Sequence, residues 1–204
     1  TLPPFTPYGK AEFDKRVKAE TDGKPYADAS THCWPHGIPR VMNSPYPIQI
    51  FQTPGKITIV HEVAHNIRQI HMDQKMPDKV PTSFLGYSVG HWDGDVLVTW
   101  TSNVQGWISH GGAEYSSHLQ TIEIYSAIKD GKGRQTGIRH EAVLYDDESL
   151  VEPVRIVQTW SRLGRLNENE PLPILECVPH IFAVRGTATP ITPGTTFPYE
   201  LPDT

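Results

Sequence analysis

The chain has 204 residues and a formal net charge of −5, and a single domain is the default at this length. Hydrophobic residues make up 37% of it and charged residues 20%, which excludes a wholly disordered chain. No run approaches the ~20 apolar residues of a membrane-spanning helix, and an acidic chain gives no reason to expect nucleic acid as a partner. The 19 prolines and 16 glycines exclude long helices and favour short strands with many turns.

The N-terminal part predicts one helix followed by a proline-rich loop. Residues 9–21 predict the helix, because Ala11, Phe13 and Val17 recur among charged residues. Residues 23–47 predict a long loop, since prolines interrupt every regular pattern there. We expect residues 1–47 to pack on the body of the domain.

From residue 48 onward, short apolar and β-branched stretches alternate with turn residues. The predicted strands cover residues 48–53, 57–62, 66–72, 86–92, 96–101, 119–127, 137–145, 154–162 and 174–177. Eight or nine short strands at this spacing predict a mainly β fold, a lipocalin-like (calycin-type) antiparallel barrel over residues 48–182. Residues 183–204 are predicted to form an extended or mobile tail of the same single domain.

The two cysteines, Cys33 and Cys177, are far apart and neither belongs to a Cys-x-x-Cys pair. They form either a long-range disulfide or two unrelated buried thiols. We favour the disulfide, because each cysteine lies beside proline-rich chain that a covalent link would stabilise, by up to about 4 kcal/mol. A disulfide implies an oxidising compartment.

His61-Glu62-Val63-Ala64-His65 matches the H-E-x-x-H pattern of zinc peptidases. That pattern needs a helix, which places both imidazoles on one face. The β-branched residues before His61 favour a strand instead, and no further ligand follows at a zincin spacing. We therefore predict no metal, with a zinc hydrolase built on His61, Glu62 and His65 as an alternative.

Gly86-Tyr87-Ser88-Val89-Gly90 matches the G-x-S-x-G nucleophile elbow. The elbow needs a helix after its serine, whereas this stretch turns directly into the next predicted strand. We interpret it as part of a hairpin in which the glycines allow close packing.

The ten histidines point to acid–base chemistry, because imidazole titrates near neutral pH and a neighbouring carboxylate can fix its tautomer. Several lie on or beside predicted strands, together with other polar residues that could share a site. This set comprises His61, His65, His71, His91, His118, His140, Glu62, Arg68, Tyr87, Tyr115 and Glu123. Strand alternation lets only some of them point inward.

The order of motifs along residues 5–178 resembles an uncharacterised family of exported bacterial proteins with no assigned chemistry. The motifs are Cys33-x-Pro35-x-Gly37-x-Pro39-Arg40-x-Met42, Pro45-Tyr46-Pro47-Ile48-x-Ile50-x-Gln52-Thr53-Pro54, Arg68-x-Ile70, Gly86-x-Ser88-x-Gly90-x-Trp92-x-Gly94-Asp95-x-Leu97-Val98 and Glu176-Cys177. The resemblance implies a removed export signal, hence a secreted or periplasmic protein, and cysteines at both positions.

The resemblance also supplies candidate site residues. Glu62, Arg68, Ser88 and Glu123 match the family pattern. The chain departs from it at Tyr87, where relatives have histidine, at Trp100, where they have aspartate, and near Tyr115, where they have a His-Ser-Glu run. Aromatic residues at such positions imply a pocket with aromatic or apolar substrate contacts.

We therefore expect a cofactor-free acid–base enzyme, a lyase, hydratase, isomerase or cyclase, acting on a partly apolar or aromatic small molecule in a barrel cavity. Its expected catalytic residues are His65 or His118 as base, Tyr87 or Tyr115 as proton donor, Arg68 as stabiliser of negative charge and Glu62 as orienting group. Its expected substrate-binding residues are Ser88, Trp100 and Glu123. The alternative is a non-catalytic ligand-binding protein. The sequence leaves open whether the protein forms a homodimer.

Overall fold

The computed structural model describes residues 2–23, 34–62, 66–105, 107–108 and 114–162. In chain order the elements are α1 (Pro7–Thr21), a 3₁₀ helix (Arg40–Asn43) and the strands β1 (Ile48–Thr53), β2 (Lys56–His61), β3 (Ile67–Met72), β4 (Tyr87–Asp93), β5 (Val96–Ser102), β6 (Trp107–Ile108), β7 (Glu114–Tyr115), β8 (Gln120–Lys129), β9 (Gln135–Tyr145) and β10 (Val154–Ser161). The predicted mainly β fold with one N-terminal helix is confirmed.

Eight strands form one curled sheet in the order β1-β2-β3-β4-β5-β8-β9-β10, a half-barrel, while β6 and β7 pair separately. All neighbours in the large sheet are antiparallel except β3 and β4, which run parallel. Within the described residues β1 and β10 are the two free edges, so the sheet does not close. The predicted antiparallel barrel is thus confirmed only as a mainly β, curled half-barrel. The β3–β4 pair departs from the antiparallel order, because residues 73–86 cross over and return the chain in the same direction.

Eight of the predicted strands coincide with observed ones to within one or two residues at each end. Turn residues explain why the strand ends were predicted well. Gly55 and Gly94 have positive φ in the tight turns that end β1 and β4. The short strands β6 and β7 were not predicted. The predicted strand 174–177, the predicted tail 183–204 and both cysteines, Cys33 and Cys177, lie outside the described residues.

Helix α1 packs on the loop between β9 and β10. Thr6 caps its first turn by accepting a hydrogen bond from the Gly9 backbone N–H at 3.1 Å, and Thr6 Oγ1 donates to the Glu148 carbonyl at 2.5 Å. Gly9 is needed for this contact, because a Cβ there would overlap the carbonyl oxygen of Ser149. Among the described residues, no helix is long and apolar enough to cross a membrane.

The buried face of the half-barrel carries two apolar clusters. One joins the 3₁₀ helix to the sheet and comprises Ile38, Val41, Met42, Val104, Leu119, Ala142 and Leu144. The other comprises Ile57, Ile59, Ile70, Met72, Leu97 and Tyr125. The same face also carries buried polar side chains, among them Arg68, Ser88, Glu123 and His140.

Candidate functional site

Strand alternation divides the predicted site residues between the two faces of the sheet. Ser88 and Glu123 lie on the buried face, where they are 1% and 0% exposed. Tyr87 is the neighbour of Ser88, and Trp100 pairs with Ile122, the neighbour of Glu123, so both point to the outer face. The predicted residues thus contribute to two separate groups.

The buried group is organised by an ion pair between Arg68 of β3 and Glu123 of β8. Two parallel contacts of 2.7 and 2.6 Å join the guanidinium to the two carboxylate oxygens. Arg68 is 2% exposed and Glu123 is fully buried. Such bidentate geometry is what makes a charge pair stable away from water.

Hydroxyl groups complete the coordination of both charges. Arg68 also donates to Ser88 Oγ, Thr101 Oγ1 and Tyr125 Oη. Glu123 accepts from Thr121 Oγ1 at 2.6 Å and from Tyr125 Oη at 2.7 Å. Every nitrogen of the guanidinium and both oxygens of the carboxylate therefore have partners.

The pKa values in this network follow from burial and the paired charges. Burial alone would raise the pKa of the Glu123 carboxyl, but the Arg68 charge and the hydrogen bonds from His140 and Arg68 outweigh it and hold that pKa well below its usual range. Burial raises the pKa of the Tyr125 phenol well above its ordinary value, an effect that the nearby Arg68 charge only partly offsets. The carboxylate is thus ionised and the phenol neutral.

His140 extends the network to the edge strand β10. Its Nε2 lies 3.1 Å from Glu123 Oε2 and its Nδ1 lies 3.1 Å from Gln158 Nε2. An ionised carboxylate only accepts, so Nε2 carries a proton, and the amide of Gln158 donates to Nδ1. The ring stacks between Tyr125 and Trp160, with centroid distances of 4.4 and 5.3 Å.

This buried network is closed. The structure brings the candidate site residues Arg68, Ser88 and Glu123 together, but their hydrogen-bonding groups are already used by one another and by Thr101, Thr121, Tyr125 and His140. Its evident role is to hold β3, β4, β5, β8, β9 and β10 in one register.

His61 lies at the end of β2 on the same buried face and is 5% exposed. Its Nδ1 has no hydrogen-bond partner among the described residues. Burial, with smaller contributions from the charges of Arg68 and His36, lowers the pKa of His61 to about 4. The imidazole is therefore neutral near pH 7.

The H-E-x-x-H motif begins in a strand, as its β-branched context predicts, because His61 is the last residue of β2. Glu62 is half-buried in the bend that follows, and His65 lies outside the described residues. Within the described part of the chain, no group of three or more His, Cys, Asp or Glu side chains is placed to hold a metal ion.

A second group surrounds an open groove of about 420 Å³ on the outer face, where β5 and β9 end and β8 begins. The groove is lined by Ser102, Asn103, Ser117, His118, Leu119, Gln120, Tyr145 and Asp147. Its volume lies at the small end of the range for small-molecule sites.

His118 and Asp147 form the titratable pair of this groove. His118 Nδ1 lies 2.9 Å from Asp147 Oδ1, and the two side chains are 58% and 89% exposed. The hydrogen bond from His118 to Asp147, together with the charge of Asp147, raises the pKa of the imidazole above its ordinary value. A carboxylate in this position also fixes the ring orientation and leaves Nε2 for another partner.

The buried Asp146 holds the two turns that present this pair. Its carboxylate accepts from the Ser116 backbone N–H and hydroxyl at 2.6 and 2.7 Å, and from the Ser149 backbone N–H at 3.1 Å. The Ser116 hydroxyl in turn accepts from the His118 backbone N–H at 3.0 Å. The turn that carries His118 is therefore tied to the loop that carries Asp147.

Aromatic and amide side chains continue from the groove along the outer face. Gln120 is paired in register with Tyr145, which is 45% exposed. The Trp100 indole N–H donates to Gln120 Oε1 at 3.0 Å. Trp100, predicted to bind substrate, thus lies beside the groove that contains His118.

The two tyrosines predicted as proton donors lie apart from this pair. Tyr87 is half-buried on the outer face of β4 and stacks on His71 at a centroid distance of 4.5 Å. Tyr115 packs against the first apolar cluster. Burial, and to a smaller degree the charge of Asp146, raises the pKa of Tyr115 to about 12.

Sequence reasoning missed Tyr125 as a partner of Arg68, and Asp147 and Tyr145 as neighbours of His118. It included His140 among the acid–base candidates but did not place it beside Glu123. The run Asp146-Asp147-Glu148-Ser149 falls between the predicted strands 137–145 and 154–162, where no site residue was predicted. Its two adjacent aspartates were the available signal, since one is buried as an anchor and the other is exposed beside His118. No family model, curated protein or solved structure matches the chain.

Proposed function

We propose that the protein is an enzyme that carries out cofactor-free acid–base chemistry on a small, partly apolar or aromatic molecule in the outer-face groove. The observation that carries this proposal is the 2.9 Å contact between His118 Nδ1 and Asp147 Oδ1 inside an open groove. A histidine oriented by a carboxylate and accessible to a ligand is the usual form of a general base.

In this proposal Nε2 of His118 takes a proton from the substrate. Asp147 fixes the tautomer and stabilises the imidazolium that forms. The Tyr145 phenol lines the same groove and serves as proton donor to the developing negative charge. Proton removal and return at neighbouring atoms is the chemistry of a lyase, hydratase, isomerase or cyclase.

The proposal is tested with 5-nitrobenzisoxazole, a small aromatic probe whose ring opens to a coloured phenolate when a base removes its carbon-bound proton. The wild-type protein should open it faster than free imidazole at equal concentration, because the groove holds probe and base together. His118→Gln should remove this excess rate. The matched control is His91→Gln, which changes an exposed histidine of β4 outside the groove.

A rate equal to that of free imidazole, or one that His118→Gln leaves unchanged, would contradict the assignment. The second candidate function, a non-catalytic ligand-binding protein, would then be favoured, because the groove would bind small molecules without acting on them. The zinc-hydrolase alternative, built on His61, Glu62 and His65, predicts instead an ester-hydrolysis rate that depends on added zinc and that His118→Gln leaves unchanged.

We also propose a secreted or periplasmic location, a Cys33–Cys177 disulfide, kinship of the chain with the exported family, and kinship of its curled sheet with lipocalin-like (calycin-type) barrels. The support is the order of sequence motifs and the curled sheet itself. Mass spectrometry of the unreduced protein should find one cross-linked peptide pair containing both cysteines. Two free thiols in that experiment would argue against the disulfide and remove the redox reason for an exported protein.

A further inference from the structure

An exposed apolar strip runs along the outer face of the half-barrel. We call it the outer strip and define it by Val98 and Trp100 of β5, Ile122 and Ile124 of β8, and Val143 of β9. Trp100, Ile122 and Ile124 are 37%, 37% and 40% exposed. Contiguous apolar surface of this kind marks a binding site more often than chance exposure does.

The strip is continuous because its members are register partners. Trp100 pairs with Ile122, Ile122 pairs with Val143, and Val98 pairs with Ile124. Side chains at directly opposite positions on one face of a sheet lie in contact. The five residues therefore form a single surface, not scattered exposed positions.

The groove lies at one end of this strip. Along β8 the outer-face residues are Gln120 in the groove, then Ile122 and Ile124 in the strip. The hydrogen bond from Trp100 Nε1 to Gln120 Oε1 joins the two regions at 3.0 Å. A molecule with its polar end in the groove would thus meet apolar surface in one direction only.

The charges around this surface favour an uncharged ligand. None of the described residues that line the groove is a lysine or an arginine, and His118 and Asp147 are paired with each other, so the groove offers no free charge to an ionic head group. Beside the strip, the carboxylate of Glu141 already binds both Arg139 and Arg155. These two guanidinium groups and one carboxylate lie beside Ile124, at the end of the strip away from the groove that holds the head group.

We propose, building on the function proposed above, that the substrate class is an uncharged single-chain amphiphile. Its hydroxylated head group binds in the groove beside His118 and Gln120, and its alkyl chain lies along the outer strip. Ile124 lies four positions beyond Gln120 on β8, a length of about 14 Å that an alkyl chain of about ten carbons covers.

The test uses the alkane-1,2-diols from hexane-1,2-diol to tetradecane-1,2-diol, below their micelle concentrations, with calorimetric titration of the full chain. The dissociation constant should fall by about twofold to fourfold for each added methylene, because each one removes apolar area from water. The gain should stop near decane-1,2-diol, where the strip ends. Decanoate, which has a similar chain and a negative charge, should bind at least about tenfold more weakly than decane-1,2-diol.

Matched variants test where the chain lies. Ile122→Ser and Ile124→Ser should each weaken decane-1,2-diol binding about fivefold or more and reduce the dependence on chain length. Ile67→Ser is the control, because Ile67 is also exposed on the outer face but lies on β3, outside the strip. Circular dichroism should show the same folded spectrum for all three variants.

Affinity that does not change with chain length, or that Ile67→Ser weakens as much as Ile122→Ser, would overturn the proposal. Binding to neutral phosphatidylcholine vesicles without binding of the monomeric diols would overturn it too, in favour of a membrane surface. These outcomes are separate from failure of the proposed function, since His118→Gln should keep the chain-length dependence while losing the rate with 5-nitrobenzisoxazole.

Discussion

Arg68 and Glu123 lie on strands that are separated by two others, yet they meet in the bidentate ion pair at the centre of the buried face. Four hydroxyl groups and one imidazole make the remaining hydrogen bonds of the two charged groups. The pair therefore links β3 to β8 across the curvature of the half-barrel.

Loss of either charge alone should destabilise the protein strongly. We expect Arg68→Met or Glu123→Leu to lower the free energy of unfolding by about 3–5 kcal/mol, because each leaves an uncompensated buried charge. The double variant should lose less than the sum of the two, which a double-mutant cycle in urea measures. The control Arg139→Met removes one exposed partner of Glu141 and should cost less than about 1 kcal/mol. Additive losses, or single losses as small as the control's, would show that the pair does not act as a unit.

Stability should fall with pH below neutrality because of His61. Its folded-state pKa is about 4 and its unfolded-state pKa is near 6.5, so between these values the unfolded state binds a proton that the folded state does not. The contribution of His61 to the free energy of unfolding is complete above pH 6.5. It is lost as pH falls from 6.5 to 4, by about 3 kcal/mol in all. In His61→Met the urea midpoint of unfolding should depend less on pH across this range, whereas His91→Gln should keep the wild-type pH dependence. An identical slope in His61→Met would contradict the assignment.

Asp147→Asn should separate the chemistry of the groove from the stability of the fold. Asp147 raises the pKa of His118, so the wild-type rate with 5-nitrobenzisoxazole should rise with pH through a midpoint above 6.5, where the neutral imidazole becomes available. In the variant that midpoint should move down toward 6.5 and the limiting rate should fall. Nuclear magnetic resonance titration of the His118 ring gives the same midpoint independently. An unchanged midpoint would mean that the pair does not form in solution.

Asp146→Ala should affect both stability and chemistry. The variant removes a buried acceptor of hydrogen bonds from Ser116 and Ser149, which should cost about 3 kcal/mol by the usual strength of bonds to charged groups. The rate with the probe should also fall, because His118 and Asp147 lose the connection between their turns. Thermal unfolding and the probe assay measure the two effects, and a stable variant with a full rate would refute the anchoring role.

Local sequence patterns were sufficient for most of the strands and insufficient for closure of the sheet. Glycine and aspartate turns bound short apolar runs, so the hairpin around Gly94 was predictable from a few neighbouring residues. Whether β1 pairs with β10 depends on curvature summed over eight strands, and on the parallel pairing of β3 with β4. No short pattern encodes either property.

The site was predictable to the extent that it follows strand alternation. Arg68, Ser88 and Glu123 were chosen because they match the motifs of the resembled family, and the structure places all three on the buried face of the sheet. His118 and Asp147 are 29 residues apart and lie on turns, where periodicity carries no information about which side chains meet. Trp100 was chosen for its aromatic character, but the register that puts it beside Gln120 is visible only in the folded sheet.

The loop between β9 and β10 is held by two other segments of the chain, one on each side. The N-terminal segment binds it from one side, through Thr6 on Glu148 and through the Val151 backbone N–H on the Pro4 carbonyl. Asp146 ties the same loop to the turn of His118 on the other side. Removal of the first few residues would therefore change the reactivity of a histidine that they never touch, and the N-terminus becomes a remote determinant of the groove.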